Sequence, residues 1–373
     1  MSQLYYPLNS LRESSWFKLI CGASFQHLPA IRNLALAYTL AGADCLDVAA
    51  DPAVIAAAQE GVEAAKGLAS HKTKSQPWLM VSLNDGEDPH FRKAEFLPTE
   101  CPPNCSRPCE SICPAQAIAF RDTGGKFSGV DDQSCYGCGR CLPICPSELI
   151  YTRSYVSTPE TITPLITSNS IDAVEIHTQV GHFQDFQRLW SGIAPWLNRL
   201  KLVAISCPDA SDLIPYLKSL YQLISPLPCT LIWQTDGRAM SGDIGIGTTS
   251  ASVRLAQKVL AAGLPGYIQL AGGTNQHTVT KLKALGLLKK NQVAGIAYGS
   301  YARSLLLPIF NQLETVNYST IKENTASPMS SLSAPNHLEN HPDLLFAAVT
   351  TARQLVEQLK SPHGQLATRQ MAP

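Results

Sequence analysis

Short apolar runs alternate with stretches of helical periodicity along most of the chain. The runs fall at 18–22, 45–50, 78–83, 172–177, 202–206, 230–234, 267–271 and 293–298. Runs of this length, rich in aliphatic residues and bounded by turn-forming ones, predict buried strands. Helical patterns follow them, at 28–41 after the first run and at 251–262 after the sixth. An Ala-rich helix follows the second and opens on Asp51 and Pro52. Asp accepts the free amides of a first helical turn, and Pro tolerates that position because no partner waits for its missing N–H. Eight strand–helix units in sequence predict an α/β fold, a TIM-like (β/α)8 barrel; an open doubly wound sheet is the alternative.

The pattern breaks twice. After the third run, the connection is replaced by a segment of a different kind, a ferredoxin-like α+β module. This divides the chain into barrel at 15–94, inserted module at 95–155 and barrel again at 156–315. An insertion after a barrel strand lies at the C-terminal face, where barrels carry their ligands. The second break is compositional: 316–340 is polar and reads as a linker, with Ser, Thr, Asn and Pro crowded into 324–335. A last helix at 341–361 carries Leu344, Leu345, Ala348, Val349, Ala352, Leu355, Val356 and Leu359 on one stripe and is expected to pack back on the barrel.

What defines the inserted segment is cysteine. Eight of the chain's 12 cysteines lie between Cys101 and Cys145. Cys135, Cys138, Cys141 and Cys145 before Pro146 follow the bacterial ferredoxin run C-x2-C-x2-C-x3-C-P. Cys101, Cys105, Cys109 and Cys113 before Pro114 are spaced by three residues each and end in the same C-x3-C-P. Three thiolates on one short loop reach different irons of one cluster, and the fourth ligates the other cluster in two-cluster proteins. The expected ligand sets are therefore Cys101, Cys105, Cys109 and Cys145 for one [4Fe–4S] cluster, and Cys113, Cys135, Cys138 and Cys141 for the second. A three-iron form stays open at the first, wider motif. The segments 113–118 and 145–150 echo each other, and 119–121 and 127–130 read as the two sides of a hairpin. Structural zinc would want paired C-x2-C knuckles with a longer spacer, and a disulfide framework a small secreted chain. The layout over 95–155 resembles the bacterial two-cluster ferredoxins.

Composition narrows the partners. The chain has 373 residues, 45% hydrophobic, with a formal net charge of zero, which points to neither nucleic acid nor an acidic membrane surface. No apolar stretch approaches a membrane span, and the first residues lack a secretory pattern, so a reducing cytoplasm is the expected location. Cys21, Cys45, Cys207 and Cys229 sit in apolar runs and read as small buried hydrophobes.

Two sets of loops suggest a ligand. Gly272 and Gly273 follow the seventh strand, Gly299 and Ser300 the eighth. These are the places where many barrels hold phosphate on backbone amides. A longer loop after the sixth strand carries Gly242, Gly245 and Gly247, and a Thr or Ser at its end is expected to cap the next helix. Polar residues also interrupt apolar strands: Asp47, Glu175, His177, Gln234 and Asp236. Alternation puts Glu175 and His177 on one face. Their chemistry suits acid–base work, but no set of nucleophile, base and orienter is recognisable, so no catalytic residue is assigned and they read as hydrogen-bonded interior groups.

Taken together, the cysteine block, the loop 241–245 and the segment 270–275 resemble the cyanobacterial light-dependent period family over nearly the whole chain, and the stretch 45–52 also resembles a plastid and cyanobacterial barrel family. The resemblance implies an iron–sulfur redox sensor that passes cellular redox or light state, through the quinone pool, to the circadian input pathway. Its implied partners are clock proteins, an input histidine kinase and quinones. The alternative is a barrel oxidoreductase whose clusters relay electrons to a flavin or a small-molecule substrate.

Overall fold

The structure, a computed structural model, describes residues 7–21, 28–68, 76–86, 92–113, 116–120, 128–131, 134–135, 139–154, 159–168, 171–237, 247–323 and 337–360. In chain order the strands are β1 (Trp16–Ile20), β2 (Cys45–Ala49), β3 (Trp78–Asn84), β4 (Arg92–Glu95), β5 (Ile118–Ala119), β6 (Gly129–Val130), β7 (Tyr151–Ser154), β8 (Ala173–His177), β9 (Leu202–Pro208), β10 (Thr230–Asp236), β11 (Tyr267–Ala271) and β12 (Val293–Tyr298). Eight of them close into a parallel barrel in the order β1-β12-β11-β10-β9-β8-β3-β2. The open-sheet alternative is thereby excluded, and the cysteine segment is inserted after the third barrel strand.

Strand direction follows from local chemistry. Asp51 accepts hydrogen bonds on Oδ1 from the amides of Ala53 and Val54, at 3.0 and 3.3 Å, and starts the helix Pro52–Leu68. Two amides with no partner inside the helix are satisfied this way. Outward-facing strand residues such as Leu46, Val81, Val174, Val203 and Trp233 pack under the surrounding helices in one continuous core. Inward-facing residues at the N-terminal end, among them Trp16, Cys45, Met80, Leu202 and Ile232, form a second core, closed from below by Leu11 of the helix Pro7–Arg12. The barrel floor is thus apolar and sealed, and its interior opens towards the C-terminal ends of the strands.

The inserted segment leaves and returns on an antiparallel ribbon, β4 with β7, and holds the short pair β5 with β6. The pairing of Ile118 with Val130 agrees with the hairpin read in the sequence; its connection, 121–127, lies outside the described residues.

The C-terminal helix, Pro342–Lys360, buries Ala348, Ala352, Leu355, Val356 and Leu359 against the helices Leu28–Ala41 and Ser300–Glu323. Each buried Leu or Val contributes about 1.5–3 kcal/mol of transfer free energy. The helix ends on a buried contact, Lys360 Nζ with both carboxylate oxygens of Asp44, which also accepts the Ser10 hydroxyl and the Phe17 amide. One boundary differs from the sequence reading. The helix from Ser300 runs through Glu323, into the stretch 316–340 read as linker. Polar composition alone does not end a helix, and nothing in 316–323 is a Pro or Gly.

Candidate functional site: the cysteine module and the barrel mouth

The module repeats one local motif. A short helix, Pro108–Ile112 or Cys141–Ile144, ends at Cys113 or Cys145 in extended conformation. The chain then turns tightly, with Gln116 N donating to Cys113 O at 3.1 Å and Glu148 N to Cys145 O at 3.2 Å. Gln116 and Glu148 are both left-handed, at φ 51° and 50°. The sequence echo between 113–118 and 145–150 is therefore also an echo of backbone shape. The turn aims amides back at sulfur: Ala117 N lies 3.3 Å from Cys113 Sγ. Burial pushes the Cys145 thiol up, but the amides of Leu149, Ser147, Ile150 and Glu148 outweigh it and hold the thiol below its ordinary value. A sulfur that accepts several N–H bonds is stabilised as thiolate, the form that binds iron.

Cys101, Cys105, Cys109 and Cys145 line one small cleft, with Phe96, Phe120, Leu149 and Ile150 among its walls. Burial, and then the neighbouring Cys105, push the Cys101 thiol up; burial does the same at Cys109, where Cys145 and Cys101 add to it. Arg107 opposes the rise at Cys101 but does not cancel it. Arg107 N lies 3.4 Å from Cys105 Sγ, and its guanidinium sits 4.4 Å over the Phe120 ring. Cys113, Cys135 and Cys141 belong to the module's small core with Ala94, Phe96, Ile118 and Ile150. Cys138 lies outside the described residues. Among the described residues, no three His, Cys, Asp or Glu side chains converge as a single metal ion needs. Four thiols lining one cleft suit a multi-iron cluster, which takes its ligands from around a core.

The module is tied to the barrel by a buried ion pair. Lys93 Nζ in β4 lies 2.8 Å from Asp51 Oδ2, beyond the end of β2. Both side chains are almost fully buried, so each charge depends on the other.

Inside the barrel a polar layer lies above the apolar floor. Lys18 Nζ in β1 contacts Glu175 Oε2 in β8 and lies 3.1 Å from Asp47 Oδ2 in β2. Ser82 Oγ donates to Asp47 Oδ1 at 2.7 Å. Gln234 Nε2 donates to Glu175 Oε1 at 2.6 Å, and His177 Nε2 lies 3.0 Å from the same oxygen. Gln269 donates to Gln234, and Trp16 Nε1 donates to Gln269 Oε1 at 2.6 Å. Burial pushes the Glu175 carboxyl up, but Lys18, and then His177, outweigh it and hold it down at about 2. Asp47 goes the other way: its burial outweighs Lys18, and Glu175 adds to the rise. Burial lowers Lys18, yet Asp47 and Glu175 raise it further, so it stays an ammonium. His177 is lowered by burial and raised by its bond to Glu175, then by Asp47 and Asp236, to about 9.

The sequence had singled out Asp47, Glu175, His177, Gln234 and Asp236. It missed Lys18, which holds the layer together. The available signal was a lone cation inside an otherwise apolar strand.

The helix start after the sixth strand takes a different form from the one expected. Thr248 precedes the helix Thr249–Ala261 but does not cap it; its hydroxyl donates to Gly273 O at 2.8 Å, as Thr249 does at 3.3 Å. Ser252 Oγ donates to Gly272 O. The hydroxyls satisfy carbonyls of the neighbouring loop, which the left-handed Gly272 and Gly273 turn towards them. Gly237 permits the close approach, since a Cβ there would meet Ser252 N at 2.2 Å. At the eighth strand, Arg303 donates to Ser300 Oγ at 2.9 Å and to Ile20 O at 3.1 Å, beside Gly299. Gly247 adopts φ 93° at the end of its loop; Gly242 and Gly245 lie outside the described residues.

Comparison with known proteins adds the following. Residues 101–156 match the LdpA Fe-S cluster-binding domain, and residues 165–358 match the Light dependent period A C-terminal domain. The chain is 50% identical over 362 residues to the Light dependent period A protein of Synechococcus elongatus, covering 96% of this chain and 95% of that protein. A stretch of 85 residues is 33% identical to an uncharacterized ferredoxin of Methanocaldococcus jannaschii, covering 23% of this chain and 54% of that protein. Among solved structures, the fructose-bisphosphate aldolase of Campylobacter jejuni aligns over 94% of this chain and 91% of that chain, at 9% identity and a TM-score of 0.44.

Proposed function

The chain belongs to the Light dependent period A family, and from that premise we propose that it is an iron–sulfur redox sensor of the circadian input pathway. The observation that carries this reading is the four-thiol cleft of the module, joined to the barrel by the buried pair Lys93–Asp51. In this reading Cys101, Cys105, Cys109 and Cys145 hold one [4Fe–4S] cluster, and Cys113, Cys135, Cys138 and Cys141 hold the other. The module is 95–155, the barrel 15–94 with 156–315, and the helix 341–361 closes the barrel's outer side.

Bound clusters supply one-electron chemistry at potentials set by charge, hydrogen bonds and exposure. The chain's own residues do the tuning. Amides of Arg107 and Ala117 face Cys105 and Cys113, and the amides after Cys145 face its sulfur. Donors to sulfur favour the more negative state and raise the potential. A change of charge in the module acts on the ribbon β4–β7, whose Lys93 is anchored in the barrel wall. Signalling needs a partner whose affinity differs between the two redox states. Clock proteins and an input histidine kinase fill that role here, with the quinone pool as the source of electrons and a reducing cytoplasm as the location.

An anaerobic redox titration followed by electron paramagnetic resonance tests the reading, paired with partner binding at the two extremes of potential. Two clusters titrating within the span of cellular quinones and ferredoxin, with binding that follows the oxidation state, is the expected result. Binding indifferent to oxidation state, with clusters present, overturns the sensor.

A further inference from the structure

The geometry points to a small-molecule site at the barrel mouth, built on Asn84, His177 and Ser206, that takes a neutral compound by its carbonyl oxygen. The three residues are cross-strand neighbours: Asn84 of β3 is in register with His177 of β8, and His177 with Ser206 of β9. All three face the interior. His177 and Ser206 bond inward to Glu175 and Gln234, and Asn84 shares its face with Ser82, which bonds Asp47. They lie at the open end, since the floor is plugged by Trp16 and Leu11.

Each has a donor left over. His177 spends Nε2 on Glu175 Oε1, and its Nδ1 has no partner among the described residues. Its side chain is 35% exposed above a carboxylate that is fully buried. Ser206 accepts from Gln234 Nε2 at 3.1 Å, so its own hydroxyl hydrogen remains for an acceptor. The Asn84 amide likewise has no partner among the described residues and is half-buried. A structural polar layer satisfies its own members; here Lys18, Asp47, Gln234 and Gln269 do so, while the row above them does not. Across the mouth, Ala49 and Ala271 hold inward positions and add no large side chain, with Ile20 of β1 and Asp236 of β10 beside them.

Charge selects the ligand. The groups facing His177 are Glu175, Asp47 and Asp236, with Lys18 behind them. Around His177 itself three carboxylates stand against the Lys18 ammonium, while the Arg303 guanidinium is held across the barrel on Ile20 O and Ser300 Oγ. A carboxylate ligand would meet repulsion there. A neutral carbonyl accepts the same bonds from the imidazolium, the amide and the hydroxyl without it. The site is independent of the clusters, and its test can fail while the sensor reading stands.

The test uses the full chain with its clusters intact and the histidine rings labelled with nitrogen-15; His177→Gln assigns the His177 signals. Nicotinamide and 2-pyrrolidinone are the neutral carbonyl probes, and nicotinate is the carboxylate matched in size. The expected result is a saturable shift of the His177 Nδ1 signal with a neutral probe. Binding should weaken up to about tenfold in Ser206→Ala, as for the loss of one neutral hydrogen bond, and nicotinate should bind more weakly than nicotinamide. No saturable shift with either neutral probe overturns the site, and needs no variant to fold. Nicotinate binding as tightly as nicotinamide overturns its preference for a neutral carbonyl.

Discussion

Lys93 and Asp51 meet 2.8 Å apart with their side chains 2% and 0% exposed, and this contact ties the ribbon of the cysteine module to the wall of the barrel. The same carboxylate uses its other oxygen to start the helix Pro52–Leu68. Removing the cation therefore strands a buried charge that cannot easily leave. Lys93→Met should cost about 3–5 kcal/mol in urea unfolding, the usual penalty for breaking a buried pair from one side. The double variant Lys93→Met/Asp51→Asn should recover much of that loss, because no charge is left unpaired. Simple additivity of the two single variants would show that the pair is not coupled.

Glu175 is the hinge of the interior layer, bonded at once to Lys18, Gln234 and His177. Glu175→Gln keeps the shape and removes the charge that holds His177 protonated. The His177 pKa should fall from about 9 towards its ordinary 6.5, read by nuclear magnetic resonance of the labelled rings. A titration that stays near 9 in this variant would show that Asp47 and Asp236, not Glu175, set its charge.

The same shifts fix a pH dependence. His177 has a folded pKa of about 9, above its ordinary 6.5. Its stabilisation is fully present below 6.5 and is lost as pH rises through 9. Glu175 has the opposite sign, about 2 against 4.5, so its stabilisation is present above 4.5 and lost as pH falls through 2. Because His177 is partly open to water, solvent screens its share and the alkaline loss should be modest. Urea midpoints measured from pH 6 to 10 should decline in the wild type and stay flatter in His177→Gln. Parallel curves for the two proteins would remove His177 from the account.

The two ligand sets make a pattern of iron content. Cys101→Ser and Cys145→Ser should remove one cluster, and Cys113→Ser and Cys141→Ser the other. Each single variant should fall from about eight irons per chain to about four. Variants from different sets should lose different paramagnetic signals. If Cys145→Ser instead removed the signal lost in Cys141→Ser, the fourth ligands would not be exchanged between the motifs.

Much of this protein was legible in its sequence. The eight barrel strands stand out because a strand buried under helices must be apolar almost throughout, and each run of this kind is short and closed by turn residues. Cysteine spacing carried the module, since a cluster draws most of its ligands from one loop. Asp51 and Pro52 marked a helix start because capping is local chemistry. Local reading failed where a residue's partner is distant in sequence. Thr248 looks like a cap, yet donates to Gly273, 25 residues on. Lys93 looks like a surface cation, yet its partner is 42 residues back.

Spacing within a few residues was enough to read the barrel's strand count, the insertion after the third strand and the iron–sulfur character of the inserted segment. Only the tertiary structure decided that Lys18 is an interior cation, lying 29 residues from Asp47 and 157 from Glu175. It also decided that Asn84, His177 and Ser206 form one row at the mouth. The reason is physical. Alternation tells which residues share a face of a strand, but closing the barrel sets the register between strands, and register decides which of those faces meet at the same height.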